Sequence, residues 1–454
     1  MKFIDLFSGI GGFRSGLEKN GHKAIAYSEV DKYAKQSYTS IYETSEELDL
    51  GDITKVSNEQ WQDLKGKANI IVGGSPCQSF SLAGKRRGFE DTRGTLFFHY
   101  VNAIKEVQPE FFIFENVKGM MSHDKGETIK TVLSSFNEIG YDIDFDVFNS
   151  KYYGVPQNRE RIYIVGKRKD LGINESRESV KGKKKLDQLK NWAIENINYV
   201  KLLPENNNEN VEKRLVDVLE DKVDEKYYLS EEKTKKLTLN LDLTESKKSG
   251  IAIKQVGNIV DNKETFGGNP QRGRVYNSEG LSPALNCMRG GGLEPKIAVR
   301  EATKQGYAIA EQGDSVNVSY PTSKTRRGRV GKQVAQTLQA GEVNQGVIIN
   351  PLKDKTYKSW RYEQNVFDSN GITRSLKASL GGTPEIINKK YNQLRIRKLT
   401  PLECWRLQGF KDEQFYKAKD NGVSNSQLYK QAGNAVTVNV VDAITKELIK
   451  HGLQ

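Results

Sequence analysis

A single cysteine stands where a nucleophile would be expected. Cys77 follows the apolar run 70–72 and a turn of two glycines, a serine and a proline, so we predict that it lies just beyond the carboxyl end of a buried strand. Positive charge shortly after it would favour its thiolate, the form of cysteine that attacks carbon. Most lone cysteines are small packing residues, and we assign that role to Cys287 and Cys404. Position therefore marks Cys77 as a candidate for nucleophilic catalysis.

An acid and two arginines follow other apolar runs. Glu115 comes directly after the run 111–114, and parallel strands end at one edge of a sheet, so Glu115 is expected near Cys77. Arg159 and Arg161 precede or open a further strand, where alternate side chains share a face. A carboxyl group could deliver a proton there, and arginines could stabilise developing negative charge. The alternatives are a strand-end carboxylate that pairs with a lysine and arginines that contact phosphates.

A glycine-rich turn near the amino terminus indicates a cofactor that contains a nucleoside. The apolar run 3–7 leads into residues 8–12 and then a helix, so the backbone can approach a ligand closely. Glu29 lies 20 residues beyond Gly9, where nucleotide-binding folds place a carboxylate for ribose hydroxyls. Asp52 could accept a hydrogen bond from an adenine amino group or could cap a turn. The glycine spacing departs from the dinucleotide fingerprint, which disfavours a nicotinamide-dependent dehydrogenase and leaves room for S-adenosylmethionine.

Four motifs together resemble those of the cytosine-5 DNA methyltransferases and occur in that family's order. They are Phe7-Ser8-Gly9-Ile10-Gly11-Gly12, Pro76-Cys77-Gln78, Glu115-Asn116-Val117 and Gln157-Asn158-Arg159-Glu160-Arg161. The resemblance covers residues 1 to about 167 and about 395 to 454, where Gly433-Asn434-Ala435-Val436 is a further match. It implies that Cys77 adds to carbon 6 of a flipped-out cytosine while Glu115 protonates N3. It also implies that Arg159 contacts O2 and that Arg161 supports the geometry of Glu115 and Cys77.

The same resemblance implies S-adenosylmethionine as the cofactor, S-adenosylhomocysteine as its product, and no metal. The cofactor-binding residues predicted in this way are Phe7, Ser8, Gly9, Ile10, Gly11, Gly12, Glu29, Val30, Asp52, Ile53, Gly74, Pro76, Leu96, Asn434 and Ala435. Phe7 would stack on the adenine. Val30 stands where relatives often carry a tryptophan, so stacking from that side is expected to be weaker. The four histidines show no spacing typical of metal ligands.

The charge of the chain indicates an acidic partner. A formal net charge of +12 and a pI near 9.2 favour nucleic acid, although 28% charged residues is ordinary for a globular protein. The stretch 78–93 has the glycines and basic residues of a loop that closes over DNA. The predicted DNA-contacting residues are Gln78, Ser81, Lys85, Arg86, Arg87, Arg272, Arg274, Arg326, Arg327 and Arg329. For the last five, which lie in a loose repeat, the alternative is ordinary β-turn arginines.

Elements that position these side chains follow from apolar periodicity. Short apolar runs alternating with helical stretches predict an α/β fold with a doubly wound, mostly parallel sheet. Strands are predicted at 3–7, 24–27, 70–72, 111–114, 143–147 and 162–165, and helices at 13–20, 32–41, 96–107, 128–139, 212–219, 401–407 and 438–449. Residues 1–167 would form the catalytic, cofactor-binding domain, and 168–394 a smaller, β-rich target-recognition domain with internal repeats. Residues 395–427 would return the chain, and 428–454 would complete the catalytic domain.

Composition sets the remaining expectations. Three sparse cysteines indicate a reducing compartment, and a mean hydropathy of -0.66 leaves no candidate membrane span, so we expect a cytoplasmic protein. We expect a monomer that acts on double-stranded DNA, with a separately encoded restriction endonuclease as a candidate partner. A tRNA methyltransferase of the same chemistry is the nearest alternative, disfavoured by the 234 positions between Arg161 and Arg395. A catalytically silent DNA-binding relative is a second alternative.

Overall fold

The structure is a computed structural model. It describes residues 1–76, 96–172, 175–182, 184–205, 211, 213–230, 255–258, 274–276, 296–303, 306–311, 313–320, 323, 325–337, 345–349, 367–368, 386–387 and 395–453. These residues form two compact units. Residues within 1–213 and 401–454 build the first unit, and residues within 214–338 and 343–400 build the second.

A seven-stranded sheet forms the centre of the first unit. The strands of this unit are β1 (Lys2–Leu6), β2 (Lys23–Ser28), β3 (Leu48–Asp49), β4 (Ile70–Gly73), β5 (Phe111–Val117), β6 (Tyr141–Asn149), β7 (Gln157–Asn158) and β8 (Glu160–Arg168). The sheet has the order β3-β2-β1-β4-β5-β8-β6. Strands β1 to β5 pair in parallel, and β8 is antiparallel to both of its neighbours. The prediction of a mostly parallel sheet is confirmed.

Helices cover both faces of this sheet. The described helices of this unit are α1 (Gly12–Glu18), α2 (Lys32–Ile41), α3 (Asn58–Gln62), α4 (Leu96–Val107), α5 (Glu127–Glu138), α6 (Lys185–Asn196), α7 (Pro401–Arg406), α8 (Asp412–Asp420), α9 (Asn425–Asn434) and α10 (Val438–Lys450). Neighbouring residues of a strand point to opposite faces. Ile4 accordingly packs in one core cluster with Tyr100 of α4, whereas Phe3 packs in another with Ile444 of α10. Two helical layers therefore sandwich the sheet, as a doubly wound fold requires.

The first unit continues beyond residue 167, where the composition of the chain changes. Tyr199 stacks on Phe145 of β6, with ring centroids 5.0 Å apart, and Leu202 is buried in the core of the same unit. In the sequence, helix α6 lies between β8 and Tyr199. The sequence pattern does not predict this helix, because the lysine run before it masks the apolar spacing. Burial of this segment, rather than its composition, decides where the unit ends.

The predicted helix over 212–219 is wrong. The structure has only a 3₁₀ turn at Leu215–Val218. The amide of Leu215 donates to the carbonyl of Gln333 over 2.6 Å, so a tertiary contact takes the donor that a longer helix would use. The prediction also missed α3, although Ser57 and Gln60 form a capping box that marks its start.

Short strands build the second unit. They are β9 (Gln255–Asn258), β10 (Arg274–Tyr276), β11 (Lys296–Arg300), β12 (Tyr307–Glu311), β13 (Ser315–Asn317), β14 (Val330–Gly331), β15 (Ala335–Gln336), β16 (Gln345–Ile349), β17 (Phe367–Asp368), β18 (Ile386–Ile387) and β19 (Arg395–Lys398). Four of them form the sheet β14-β13-β16-β19. A small apolar cluster containing Val299, Val316 and Ile396 lies in this unit. The second unit is therefore β-rich, as predicted. No helix among the described residues is both long and apolar enough to cross a membrane.

Candidate active site

A cavity of about 640 Å³ opens in the first unit, where β1, β2, β4 and β5 end. The predicted residues that line it are Phe7, Gly9, Ile10, Glu29, Val30, Asp52, Ile53, Gly74, Pro76, Leu96, Glu115, Arg159, Arg161, Asn434 and Ala435. Ser8, Gly11 and Gly12 belong to the same glycine loop but do not line the cavity. Cys77, Gln78, Ser81, Lys85, Arg86, Arg87 and Arg272 lie outside the described residues, and Arg274 is described only as part of β10. The structure therefore brings most of the predicted cofactor-binding residues into one cavity with Glu115, Arg159 and Arg161.

The turn after β1 is strained at its first residue. Phe7 has a φ of 55°, a conformation that is unusual for an aromatic residue and concentrates at functional sites. Gly12, at the start of α1, allows a close approach: a Cβ there would lie 2.4 Å from the carbonyl oxygen of Val436. The glycine loop is thus packed against the segment that also supplies Asn434 and Ala435.

Glu29 organises the backbone around the cavity. Its Oε2 accepts a hydrogen bond from the amide of Gly9 over 2.8 Å. Its Oε1 accepts from the amides of Val30 and Asp31 over 2.8 and 2.7 Å. The carboxylate therefore ties the glycine loop to the end of β2. The two amides occupy both lone pairs of Oε1, whereas Oε2 keeps one lone pair for a further donor. The side chain of Val30 is 72% exposed at the cavity rim.

Asp52 caps a turn and lines the cavity at once. Its Oδ1 accepts from the amide of Thr54 over 3.0 Å and from the Thr54 hydroxyl over 2.8 Å. These hydrogen bonds hold the pKa of the Asp52 carboxyl below its ordinary value. The turn-capping alternative and the cofactor-binding alternative are therefore compatible, because the cap uses only Oδ1 and leaves Oδ2 to accept a hydrogen bond.

The turn that precedes Cys77 is anchored to β5. Asn116 donates from its side chain to the carbonyl of Ser75 over 2.9 Å, and this bond is buried. Gly74 is so close to Glu115 that a Cβ would lie 2.9 Å from the Glu115 carbonyl oxygen. Gly74 and Ser75 are therefore held against the end of β5.

Glu115 and Arg161 form an ion pair across two strands. In the register of β5 and β8, Glu115 faces Tyr163, so Arg161 is its diagonal neighbour on the same face. The Arg161 Nε lies 3.1 Å from Glu115 Oε1, and both side chains are largely buried. Within the described part of the chain, no donor is aligned for a hydrogen bond to Oε1. This oxygen therefore keeps its capacity for a further hydrogen bond.

Arg159 is buried beside this pair. Its guanidinium donates from Nη2 to the carbonyl of Ala435 over 2.8 Å and from Nη1 to that of Gly433 over 3.3 Å. Burial lowers the pKa of Arg159 to about 10, and the nearby Arg161 acts in the same direction. Its Nε is buried and has no partner among the described residues. Arg159 thus places a positive charge and an unused donor at the cavity.

Several residues of the site carried no signal in the sequence. Lys430 of α9 lines the cavity and donates to Asp31 over 2.6 Å, although the two are 399 positions apart. Gln431 donates to the carbonyl of Tyr33 over 2.9 Å. The other lining residues outside the predicted set are Ser28, Asp31, Ala34, Thr54, Ser75, Asn116, Val117 and Gly433. Asn116 and Val117 belong to a recognised motif, which could have identified them, whereas Lys430 required the tertiary structure.

Comparisons with known proteins agree with this arrangement. A profile of the family described as C-5 cytosine-specific DNA methylase matches residues 1–450. This chain belongs to that family. Two relatives from phages are the orphan methyltransferase M.SPRI of Bacillus phage SPR, 42% identical over 99% of this chain and 97% of its own, and M.Rho11sI of Bacillus phage rho11s, 38% identical over 99% and 98%. The family assignment makes the protein an S-adenosylmethionine-dependent methyltransferase.

Solved structures support the fold of this methylase. The S. pombe Dnmt2 methyltransferase aligns over 99% of both chains with a TM-score of 0.50 and 15% identity. An identity this low supports the fold alone. The predicted fold class, a methyltransferase-type α/β sheet accompanied by a β-rich unit, is confirmed by this likeness together with the strand order.

The predicted DNA-contacting arginines of the second unit differ in exposure. Arg327 is exposed and Arg326 is half-buried. Arg329 is completely buried, and its guanidinium donates to the carbonyls of Asn317, Ser319 and Tyr320 over 2.7 to 3.0 Å. Direct contact of Arg329 with DNA is therefore wrong for this structure, because the side chain is completely buried and both of its terminal nitrogens donate to backbone carbonyls.

Proposed function

We propose that this protein methylates carbon 5 of a cytosine in a short specific sequence of duplex DNA, through a covalent bond between Cys77 and the base. One observation carries the proposal: the glycine loop, Glu29, Glu115, Arg159 and Arg161 line a single cavity. Cys77 follows Pro76, which lines the same cavity, directly in the chain. Cofactor and target base would therefore meet at the residue that attacks.

The cavity suits S-adenosylmethionine. Its volume of about 640 Å³ lies in the range of small-molecule sites. Phe7 and Leu96 would contact the adenosine by apolar surface, while Glu29 would accept hydrogen bonds from ribose hydroxyls and Asp52 from the adenine amino group. When bound, S-adenosylmethionine supplies a methyl group made electrophilic by its positively charged sulfur.

Cys77 would begin the reaction on the base. Carbon 5 of cytosine is a weak nucleophile, so the Cys77 thiolate adds to carbon 6, forms a carbon–sulfur bond and moves electron density toward carbon 5, N3 and O2. Glu115 would give a proton to N3, and Arg159 would donate to O2 as negative charge develops there. Two observations support these roles: the Arg159 Nε and the Glu115 Oε1 are both buried, and neither has a hydrogen-bond partner among the described residues.

Turnover requires that the thiolate leaves again. Carbon 5 forms its new bond to the methyl group as the bond from that methyl group to the donor sulfur breaks, which leaves S-adenosylhomocysteine. The proton on N3 would return to Glu115, a base takes the proton from carbon 5, and the freed electron pair restores the ring double bond as the bond from Cys77 to carbon 6 breaks. We assign no residue to the proton transfer from carbon 5. The target cytosine must leave the duplex for these steps, because a stacked and paired base exposes carbon 6 to no side chain. A separately encoded restriction endonuclease remains a prediction.

Covalent capture tests the proposal. Duplex DNA in which fluorine replaces hydrogen at carbon 5 of cytosine should trap the protein. Release of Cys77 requires removal of a proton from carbon 5, and a fluorine at that position cannot be removed in this way. Cys77→Ser should abolish the adduct, whereas Cys404→Ala, which changes a buried packing cysteine of α7, should retain it. Methylation without any trapped adduct would overturn the covalent mechanism. Parallel assays on duplex DNA and tRNA test the substrate, and labelling of tRNA alone would overturn the choice of DNA.

A further inference from the structure

A strained aromatic residue stands on the surface of the second unit. Tyr320 lies after β13, in the 318–329 loop that leads to β14, and the residue is 75% exposed. Its φ is 46°, the left-handed region that an aromatic residue rarely occupies. A single exposed tyrosine is common, but strain persists only where surrounding contacts enforce it. The contacts that hold Tyr320 in this conformation therefore indicate its role.

The buried Arg329 side chain enforces the left-handed backbone conformation of Tyr320. Its fully buried guanidinium donates to the carbonyls of Asn317 over 3.0 Å, Ser319 over 2.9 Å and Tyr320 over 2.7 Å. The amide of Ser323 donates to the same Tyr320 carbonyl over 2.9 Å. The buried guanidinium of Arg329 thus fixes the backbone at Tyr320 and thereby pre-organises the exposed Tyr320 side chain.

The return side of the loop is held as firmly. Glu301 accepts hydrogen bonds from the amides of Gly328, Arg329 and Val330 over 3.2, 2.5 and 3.1 Å. Arg327 donates from Nε to the carbonyl of Ala302 over 2.9 Å. Arg327 is therefore partly engaged in holding the loop.

Arg326 stands beside the displayed ring. Its guanidinium carbon lies 6.0 Å from the centroid of Tyr320, a spacing at the outer limit of cation–π contact. The charge of Arg326 also contributes, after burial, to lowering the pKa of Arg329. The loop thus combines an exposed aromatic face with several positive charges.

We propose that Tyr320 and Arg326 contact DNA as a pair: Arg326 binds a backbone phosphate, Tyr320 packs against a base step, and Arg329 is a positioning residue. The proposal rests on the proposed function, which supplies duplex DNA as the partner. Arginine contacts with phosphate set affinity and salt dependence, whereas contacts with bases set sequence choice. Aromatic side chains contact bases by stacking or as wedges at base steps. Because base steps differ in how easily they unstack, a ring placed at one step makes Tyr320 a determinant of which sequence is selected.

Substitutions at the two contact residues separate these roles. Tyr320→Ala should weaken binding to the preferred duplex about five- to hundredfold and broaden the sequences methylated, while Tyr320→Phe should keep both. Arg326→Ala should weaken binding to all sequences alike and lower the slope of log affinity against log salt by about 1. Tyr416→Ala, at a 43% exposed tyrosine of α8, is the matched control and should change neither. Binding is measured by titration with labelled duplex, and preference by bisulfite sequencing of a randomised duplex pool.

The positioning role of Arg329 is tested by combining its substitution with that of Tyr320. Arg329→Met should broaden the sequence preference as Tyr320→Ala does, and the double variant should be no broader than either single variant, because both remove the same contact. Arg329→Lys should rescue the preference in part. Additive effects of the two substitutions would overturn the positioning role.

The two proposals fail in distinguishable ways. If the parent protein methylates DNA and Tyr320→Ala and Arg326→Ala leave affinity, salt slope and sequence preference unchanged, the DNA-contacting pair is wrong and the proposed function stands. If the parent protein binds duplex DNA without methylating it, the proposed function fails, and weaker binding by both variants would still support the pair.

Discussion

Gly74 and Glu115 pack with no space for a methyl group between them. A Cβ on Gly74 would lie 2.9 Å from the carbonyl oxygen of Glu115 and 3.0 Å from its Oε2. Neither atom can yield easily, because the carbonyl belongs to β5 and the carboxylate pairs with Arg161. A glycine at position 74 is therefore required for the turn after β4 to lie against the end of β5.

We expect Gly74→Ala to lower the methylation rate about a hundredfold, since a displacement of about 1 Å at a reacting group costs that much. Gly119→Ala is the control: the nearest atom to its added Cβ is 3.9 Å away, an ordinary contact. Methylation of duplex DNA and thermal unfolding are measured for both. Equal rates in the two variants would show that Glu115 need not hold its observed position.

Glu115→Gln should lower the turnover rate about 10²- to 10⁴-fold, the range for loss of one acid–base group, with little change in cofactor affinity. Glu160→Gln is a matched control, because Glu160 lies next to Arg161 and its exposed side chain pairs with Lys118 over 2.8 Å. That surface pair contributes about 1 kcal/mol or less, so the control should remain active. Single-turnover methylation and titration with S-adenosylhomocysteine separate the two quantities. A fully active Glu115→Gln variant would remove Glu115 from the reaction.

Glu29→Gln should weaken cofactor binding at least tenfold. The carboxylate accepts three backbone amides, and a glutamine can offer acceptors on only one of its two terminal atoms, so its NH₂ group would face an N–H donor. Hydrogen bonds to charged groups contribute roughly 1.5–3 kcal/mol each. Glu46→Gln, at an 84% exposed side chain, serves as the control. Calorimetric titration with S-adenosylmethionine measures the effect, and equal affinities would contradict it.

His22 should make the protein less stable in mild acid. The residue is buried, and burial together with the amino terminus lowers the pKa of its imidazole from 6.5 to about 4. Between these values the unfolded chain binds the proton and the folded chain does not, so stability is complete above pH 6.5 and is lost as the pH falls toward 4. The full difference amounts to about 3 kcal/mol.

The test is His22→Asn. Urea unfolding should show that the wild-type protein loses more free energy of unfolding between pH 7 and pH 4.5 than the variant does, because the variant cannot take up that proton. Parallel losses in both proteins would exclude His22 as the source.

Local patterns in the sequence determined the sheet and most of the cavity. Apolar runs at the strand period place Phe7, Glu29, Gly74 and Glu115 directly after or at the ends of strands, and parallel strands bring such ends to one edge. The helices at 32–41 and 96–107 were predicted to the residue for the same reason, since their apolar spacing is continuous. These features depend only on neighbours in the chain.

Tertiary structure decided which side chains meet and which are buried. The antiparallel register of β8 makes Arg161 the diagonal neighbour of Glu115, and no local pattern sets that register. The bond from Lys430 to Asp31 spans 399 positions, so only packing of α9 against α2 creates it. Arg329 resembles an exposed turn arginine in the sequence, yet it is buried because three backbone carbonyls converge on it. Burial and pairing of charged groups depend on residues distant in the chain, and a local pattern carries no information about them.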